Sequence, residues 1–447
     1  MTSVLSVPRE SLTFRVLEPE HDGASITLRY EIADDAATVL ASFAERVELP
    51  GEQASSYDEE AFGRALRLLA LAASTSYYKA CIPSTYDVAA GLTPHERAFT
   101  EQLLRSGLAE FAYRNDRPEA LRPTITAPEL PETATTDARA ADPQRVLVAV
   151  GGGKDSIVTI ESARRLADVT LFSVNEYAPI RLTADHAGLP LEVARRRLDP
   201  HLFELNDQGA LNGHVPVTAI NSLIGSLTAI RSGYDAVVFS NEASSSAGNL
   251  RWEGVDVNHQ WSKGIEFEAM VKDFVDGPAM TYFSFLRPLT ELAIMRRFAA
   301  LRSYHPVFTS CNRAFHLDES KRRLWCGECP KCRFVHLCLA PFVGREALAA
   351  IFGGRDLFAD PAQREGFLEL LNAGGRLKPF ECVGEPDECR VALTLISRHP
   401  DWQGHRFLDD PEVRGCLAEE STVARAFAFR DEHFLPERFE KAVREVL

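Results

Sequence analysis

Residues 151–156 read Gly-Gly-Gly-Lys-Asp-Ser, a combination suited to phosphate binding. Five apolar residues, 146–150, precede this run, and Ile157, Ile160 and Ala163 follow it at roughly helical spacing. The pattern predicts a buried strand, a glycine loop and a helix. Glycines let backbone amides approach a ligand closely, and the start of a helix carries partial positive charge, so an anion should bind here. An ordinary glycine-rich turn is the alternative interpretation.

A second chemical signal is a cluster of four of the nine cysteines. Fourteen residues separate Cys311 from the group Cys326, Cys329 and Cys332, and four thiolates at such spacing suit tetrahedral Zn²⁺. An iron–sulfur cluster fits less well, because the next cysteine lacks the spacing and the following proline of ferredoxins. Unliganded thiols are the third interpretation. The remaining cysteines are predicted to be ordinary core or surface thiols: Cys81, Cys338, Cys382, Cys389 and Cys416.

The third signal is a polar stretch, residues 249–268, which is dense in Asn, His, Lys, Glu and Trp. Histidine, lysine and glutamate have pKa values that a protein can tune for proton transfer. The stretch therefore offers a general acid, a general base and a charged group that holds a substrate. A solvated loop with helix-capping residues is the alternative. The candidates are His259, Lys263, Glu266 and Glu268.

The elements that must position these groups alternate between strand and helix. Residues 169–174 and 236–240 read as strands and residues 217–231 as a helix. Such alternation predicts an α/β fold with a doubly wound parallel sheet. Ligands bind at the carboxyl ends of the strands in these sheets, which here carry the glycine loop, Asn175 and Glu242.

Changes in composition and periodicity along the chain also predict its division into domains. Residues 13–17 and 25–30 read as a hairpin, and residues 59–71 and 94–113 read as helices. Residues 115–143 contain five prolines and few large apolar residues, as a linker would. We predict an N-terminal α+β domain over residues 1–114, a linker over 115–143, a nucleotide domain over 144–345 and a chemically quiet helical region over 346–447.

The glycine loop resembles the SGGxDS loop of the PP-loop ATP pyrophosphatases, which have an adenine nucleotide alpha hydrolase-like fold. Gly151 replaces the usual serine and Lys154 fills the variable place. Residues 213–217, 240–242 and 287–289 and the four cysteines are similar to the 7-cyano-7-deazaguanine synthases of this superfamily. The lysine that the superfamily carries after its Pro-Leu pair is missing, since Ile294 stands near that place and Arg296 is the nearest cation.

A longer set of motifs resembles one branch of this superfamily. GGGKDS, the stretch from NEASSS to EFE, CNRAFH at 311–316 and WCGECPKCRF at 325–334 are similar to the bacterial UDP-N-acetylmuramoyl-L-alanyl-L-glutamate epimerases. The resemblance implies ATP, Mg²⁺ and a structural Zn²⁺. It also implies inversion of the terminal L-glutamate of a peptidoglycan precursor, through an acyl-adenylate, with release of AMP and pyrophosphate.

The resemblance assigns roles to residues by their place in the motifs. Proton transfer is assigned to Glu242 and His259, and Mg²⁺ to Asp155 together with the phosphates. The predicted nucleotide-binding residues are Gly151, Gly152, Gly153, Lys154, Asp155, Ser156 and Asn175. The predicted catalytic residues are Lys154, Asp155, Glu242, His259 and Lys263, and the predicted metal ligands are Cys311, Cys326, Cys329 and Cys332. Cations available for the anionic substrate are Arg195, Arg196, Arg197, Arg251 and Arg313.

Net charge and the distribution of apolar residues restrict the classes of partner that we expect. The net charge of −15 disfavours broad binding to nucleic acid. No apolar run is long enough to span a membrane, and the N-terminus lacks a signal-peptide pattern, so we expect a cytoplasmic enzyme with a small-molecule partner, the UDP-sugar dipeptide. Three alternatives stay open: a ligase or amidating enzyme of the same superfamily, a tRNA-modifying thiolase, and a nucleotide sensor.

Overall fold

The computed structural model describes residues 4–132, 142–277, 280–316 and 318–445. The strands are β1 (Leu12–Val16), β2 (Glu20–His21), β3 (Ser25–Asp34), β4 (Val39–Glu48), β5 (Thr85–Val88), β6 (Thr124–Thr126), β7 (Arg145–Ala149), β8 (Asp168–Val174), β9 (Leu191–Arg197), β10 (Ala236–Phe239), β11 (Leu250–Trp252), β12 (Val255–Val257) and β13 (Thr281–Ser284).

The α-helices of the first 300 residues are α1 (Glu59–Tyr78), α2 (Pro94–Gly107), α3 (Ala109–Asn115), α4 (Lys154–Ala163), α5 (Ala178–Ala187), α6 (Pro200–Asp207), α7 (Val217–Ser232), α8 (Ile265–Val275) and α9 (Glu291–Ala299). Those that follow are α10 (Pro330–Leu339), α11 (Arg345–Ile351), α12 (Arg364–Leu370), α13 (Pro386–Arg398), α14 (Arg406–Asp409), α15 (Pro411–Arg414), α16 (Glu420–Arg425) and α17 (Glu437–Arg444). None of the described helices is both long and apolar enough to cross a membrane.

Five parallel strands form one half of the main sheet, in the order β13-β10-β7-β8-β9. The chain builds outward from β7 through β8 to β9, then returns to the other side of β7 with β10 and β13. The direction of winding therefore reverses between β7 and β10, which leaves a crevice beyond their carboxyl ends. The predicted α/β architecture with parallel central strands is confirmed.

Helices cover both faces of the parallel strands, because alternate residues of β7 are buried on opposite sides. Val146 and Val148 belong to a core cluster with Ile157 of α4 and Phe298 of α9. Leu147 points into a second cluster that contains Leu223 and other residues of α7. A strand that is buried on both faces reads as a continuous apolar run, which explains why residues 146–150 show no polar alternation.

The N-terminal strands continue the same sheet instead of forming a separate one. β9 pairs antiparallel with β4, and the order then runs β4-β3-β1-β5-β6, so that the sheet has 11 strands including β2 on β3. The predicted hairpin is confirmed, since β1 and β3 pair antiparallel. The helix expected at residues 94–113 divides into α2 and α3, because Leu108 has non-helical φ and ψ of −103° and 7°.

A buried ion pair joins the two halves of this sheet. The Arg196 guanidinium on β9 donates to both oxygens of Glu45 on β4, at 2.7 and 3.0 Å, and Tyr77 of α1 also donates to Glu45. Within the predicted linker, residues 124–126 form β6, parallel to β5. Residues 133–141 of that linker lie outside the described residues.

Candidate active site

A cavity of about 410 Å³ opens beyond the carboxyl ends of β7, β8 and β10. Its walls come from the glycine loop, from the ends of these strands, from residues 309–315 and from the start of α10. Lys263, Glu291 and Cys382 also line it. Both polar and apolar groups therefore meet at the reversal point of the parallel sheet, where a nucleotide-sized ligand is expected.

The glycine loop has the backbone conformation that its residues predict. Gly152 has a φ of +79°, and a Cβ there would lie 2.9 Å from the backbone of Pro179. The Thr309 amide donates to the Gly152 carbonyl at 3.0 Å, and Ser156 Oγ donates to the Gly153 carbonyl at 3.0 Å. Helix α4 begins at Lys154, and residues of its first turn line the cavity, which is the arrangement typical of anion sites at helix N-termini.

Lys154 lies buried between two carboxylates. Its ammonium is 2.5 Å from Asp155 Oδ1 and also contacts Glu291 Oε2, at the first residue of α9. Burial alone would lower the pKa of Lys154, but these two carboxylates raise it above its ordinary value. Burial raises the pKa of Glu291, although Lys154 opposes this effect.

Glu242 is a buried carboxyl group that lacks a full set of partners. Its side chain lines the cavity, and among the described residues Oε1 has no hydrogen-bond partner. Burial raises the pKa of Glu242, and the nearby Lys263 ammonium only partly offsets this effect. A carboxyl group of this kind holds its proton more readily than an exposed one, as proton donation to a substrate requires.

Arg287 forms hydrogen bonds to the backbone of two residues that line this cavity. Its guanidinium pairs with Glu268 at 2.6 Å and donates to the carbonyls of Glu242 and Lys263 at 2.7 and 2.6 Å. The Arg-Pro-Leu motif is therefore a structural support for the two candidate catalytic residues. Glu268 is occupied by this ion pair.

A lysine–cysteine pair occupies another part of the cavity wall. Lys263 Nζ donates to Cys382 Sγ at 3.3 Å, and Lys331 of α10 also lines the cavity. Burial raises the pKa of the Cys382 thiol, but Lys263, Lys331 and His259 more than offset this effect and lower it to about 5. The thiolate is the favoured form at neutral pH.

His259 approaches Cys382 from outside the cavity. Its Nδ1 lies 2.5 Å from Glu110 Oε2, a carboxylate of α3, and its ring centroid is 4.5 Å from that of His214. Burial lowers the pKa of His259, but contacts with Cys382 and Glu110 raise it overall, to about 9. Burial and the neighbouring His259 lower the pKa of His214 to about 4.

The four predicted metal ligands converge. Sγ–Sγ distances are 3.7 Å for Cys326–Cys332, 3.5 Å for Cys329–Cys332 and 4.0 Å for Cys311–Cys329. Zn–S bonds of about 2.3 Å in a tetrahedron space the sulfurs about 3.8 Å apart, so these residues fit zinc. Backbone amides of residues 326, 327 and 328 donate to three of the sulfurs at 3.4 Å, which stabilises thiolates.

Residues 6–285 match the family model of the MurL N-terminal domain and residues 307–425 that of the MurL C-terminal domain. Three relatives are each named UDP-N-acetyl-alpha-D-muramoyl-L-alanyl-L-glutamate epimerase. One from Salinispora tropica is 48% identical over 81% of this chain and 79% of its own. One from Micromonospora sp. is 45% identical over 87% of this chain and 86% of its own. One from Xanthomonas oryzae pv. oryzae is 41% identical over 85% of this chain and 86% of its own.

The chain belongs to the MurL epimerase family. The family predicted from the sequence motifs is therefore confirmed. No solved structure gave a significant match. The MurL N-terminal domain extends through β13, so it contains both the antiparallel strands and the five parallel strands of the continuous sheet.

Several residues that were predicted to belong to the site form hydrogen bonds or ion pairs with other groups of the protein. Asn175 has a φ of 59°, and its amide bonds the backbone of Arg196, so its role toward a nucleotide stays a prediction. Glu266 accepts a hydrogen bond from Trp261 Nε1 at 2.6 Å. Arg196 was expected as a cation for the substrate, but its buried pair with Glu45 is structural. Arg313 lies 3.1 Å from Glu328 at the surface.

Two contacts of the MurL C-terminal region were not expected from its sequence. Cys382 was predicted to be an ordinary thiol and residues 346–447 to be chemically quiet, yet Cys382 lines the cavity. Glu388 of α13 also accepts hydrogen bonds from Ser244 Oγ and from the Glu291 amide, at 2.7 and 3.0 Å. Both residues lie far along the chain from their partners, so no local pattern indicated these contacts.

The sequence analysis named Lys263 as a candidate but missed Lys331, the other cation that lines the cavity. Ile294 is fully buried in the core, whereas Lys263 and Lys331 bring ammonium groups to the cavity from other elements. Lys331 stands between two cysteines of the metal motif. This position, at the start of the helix that follows Cys329, could have indicated that Lys331 lies near the site.

Proposed function

We propose that the chain catalyses ATP-dependent epimerisation of the terminal L-glutamate of UDP-N-acetylmuramoyl-L-alanyl-L-glutamate to D-glutamate. The MurL relatives carry the name of this reaction. The observation that carries the mechanism is one cavity in which an anion-binding glycine loop faces groups able to transfer protons. The fold that suits this use is the doubly wound PP-loop ATP pyrophosphatase fold, and the strand order β9-β8-β7-β10-β13 supports it.

The chemistry requires activation of the substrate before proton transfer. Loss of the α proton next to an ionised carboxylate would place two negative charges on neighbouring atoms. Attack of that carboxylate on the α phosphorus of ATP forms an acyl-adenylate and releases pyrophosphate. The neutral acyl group can then delocalise the charge of an enolate, and hydrolysis afterwards yields the epimer and AMP.

The glycine loop is the proposed binding site for pyrophosphate. Amides of Gly152, Gly153 and the start of α4 are the proposed donors to it, and the Lys154 ammonium neutralises charge that develops as the phosphate bond breaks. Asp155 is partly exposed at this loop, and a carboxylate there suits Mg²⁺, which would neutralise phosphate charge when bound. The four-cysteine site is the proposed structural zinc site.

The remaining groups act on the glutamyl end. Glu242 is the proposed proton donor, because its carboxyl group is buried, faces the cavity and has a free oxygen among the described residues. Lys263 and Lys331 are the proposed cations for carboxylate and phosphate oxygens. Arg287 positions Glu242 and Lys263 through their carbonyls.

The test is an incubation in D₂O with ATP, Mg²⁺ and the UDP-sugar dipeptide. We expect AMP, pyrophosphate and deuterium at the glutamate α carbon, all dependent on the dipeptide. UDP-N-acetylmuramoyl-L-alanine, which lacks the glutamate, serves as the matched control and should give no AMP. AMP without α deuterium would favour a ligase, and binding of ATP without AMP would favour a nucleotide sensor.

A further inference from the structure

Cys382 is the nucleophilic side chain of the cavity that the proposed function leaves unused. It lies on the segment between α12 and α13, only partly buried, and it lines the same cavity as the glycine loop. Lys263 Nζ donates to its sulfur at 3.3 Å, and Lys331 and His259 are the other cations close to it. Three cations around one thiol favour the thiolate, which is a base as well as a nucleophile.

The same cavity holds a second titratable group, whose pKa is shifted in the opposite direction. Glu242 has a buried, unpartnered oxygen, and burial favours its protonated form. The Lys263 ammonium is near enough to both groups to act on the pKa of each. A thiol that loses its proton readily and a buried carboxyl group that keeps its proton more readily than an exposed one suit inversion at a carbon centre, since one group must remove a proton and another must return it.

We propose that Cys382 Sγ is the base that removes the glutamate α proton, that Glu242 is its partner acid, and that His259 positions Cys382. This inference rests on the proposed function and deepens it. It replaces His259 as a proton-transfer residue, because His259 does not line the cavity and its ring is held by Glu110.

The step balances without an oxidant or a further reactant. The Cys382 thiolate takes the α proton, so an S–H bond forms, the Cα–H bond breaks, and the electron pair moves to the acyl oxygen as an enolate. The Glu242 O–H then donates to the other face of Cα, and the enolate pair forms the new C–H bond. Proton exchange with solvent restores the thiolate and the carboxylic acid.

The first test separates adenylation from proton transfer in Cys382→Ala. We expect AMP formation that depends on the dipeptide to stay within about 3-fold of wild type, while α deuteration and epimer formation fall by about 100-fold or more. Cys81→Ser is the control, since Cys81 is also partly buried but lies outside the cavity, and it should keep both activities.

The outcomes distinguish this inference from the proposed function. Wild-type deuteration in Cys382→Ala would overturn the role of Cys382 alone, and equal loss of AMP and deuteration would show that the residue supports the site without transferring the proton. Absence of dipeptide-dependent AMP with the wild-type protein would overturn the proposed function and this role with it.

A second measurement needs no variant. Iodoacetamide alkylation of the wild-type protein, mapped by peptide mass spectrometry, reports the thiolate of each cysteine. We expect the Cys382 rate to reach half its maximum near pH 5 and to fall below that pH, because its cationic neighbours lower the pKa to about 5. Burial raises the pKa of Cys81 to about 12, so it should stay unlabelled at neutral pH. Half-maximal labelling of Cys382 near pH 8 or 9, as for ordinary thiols, would contradict the inference.

His259→Gln tests the positioning role. We expect kcat for epimerisation to fall by about 10-fold or more with KM values little changed, and the alkylation profile of Cys382 to shift to higher pH, since a cation next to the thiolate is lost. A purely structural role would lower protein stability and raise KM without moving that profile.

Discussion

Lys154 lies between two carboxylates, Asp155 and Glu291, and each of the three charges would be costly to bury alone. The arrangement holds the lysine cation at the start of α4, beside the proposed phosphate site. Preorganised charge of this kind lowers the barrier because no solvent has to reorganise during the reaction.

Lys154→Met should therefore harm both activity and stability. We expect dipeptide-dependent AMP formation to fall by about 100-fold or more, and the free energy of unfolding in urea to fall by about 3 kcal/mol, because the buried Glu291 and the partly exposed Asp155 lose their cation. Adding Glu291→Gln should restore part of the stability and none of the activity. Near wild-type AMP formation by Lys154→Met would contradict the assignment of the loop.

Gly152 is the loop residue whose backbone admits no side chain without strain. We expect Gly152→Ala to lower the free energy of unfolding by about 1–2 kcal/mol or more, since a left-handed φ costs that much and Pro179 blocks the Cβ. ATP binding, measured by calorimetry, should also be lost. Gly151→Ala is the matched variant, because a Cβ at Gly151 meets no atom within 4 Å, and it should leave stability unchanged. Equal stability of the two variants would refute this argument.

Among the elements, α10 links the metal site to the cavity. The helix begins directly after Cys329, and within its first two turns it presents Lys331, Phe334 and Val335 to the cavity. A metal ion bound by the cysteines would fix the start of this helix and so the position of the Lys331 ammonium. We therefore expect metal binding to affect activity through the position of Lys331 and not through chemistry at the metal.

Zinc analysis and one substitution test this link. We expect the purified protein to contain about one zinc per chain by plasma mass spectrometry, as a closed four-thiolate site binds it tightly. Cys332→Ser should lose the zinc, lower thermal stability and raise the KM for ATP. Cys416→Ser, a buried cysteine outside the group, should keep the metal. Zinc retained by Cys332→Ser, or absent from the native protein, would refute the site.

At the scale of the whole molecule, the continuous sheet joins the N-terminal region to the strands that border the cavity. β4 pairs with β9, the last strand of the parallel set on that side, and α3 supplies Glu110 to His259. The buried Glu45–Arg196 pair lies at the junction, and removing one member of such a pair leaves an uncompensated charge in the interior.

Arg196→Met should consequently lower the free energy of unfolding in urea by about 3–5 kcal/mol. The neighbouring Arg197–Glu48 pair spans the same two strands but is exposed and 3.9 Å long, so Arg197→Met should change stability little. Similar losses for both variants would show that the junction depends on strand pairing and not on the buried charge.

Local patterns sufficed for the parts of the protein that depend on neighbours in the chain. The glycine loop, the strand before it and the helix after it follow from the spacing of glycines and apolar residues within about 20 positions. The spacing of the four cysteines predicted that they would meet, and their sulfurs lie 3.5–4.0 Å apart in the three pairs above. The motifs also sufficed to identify the family.

Only the tertiary structure brought together groups that are distant in the chain. Cys382 is 119 positions from Lys263, and Glu110 is 149 positions from His259. Periodicity in the sequence predicts neither contact, because a contact between distant segments depends on strand order and helix packing. The sequence by itself therefore determined the family, the phosphate loop and the cysteine cluster. The fold decided which cations, carboxyl groups and thiol share the cavity, because burial and opposite charges set their protonation only after the chain has closed around them.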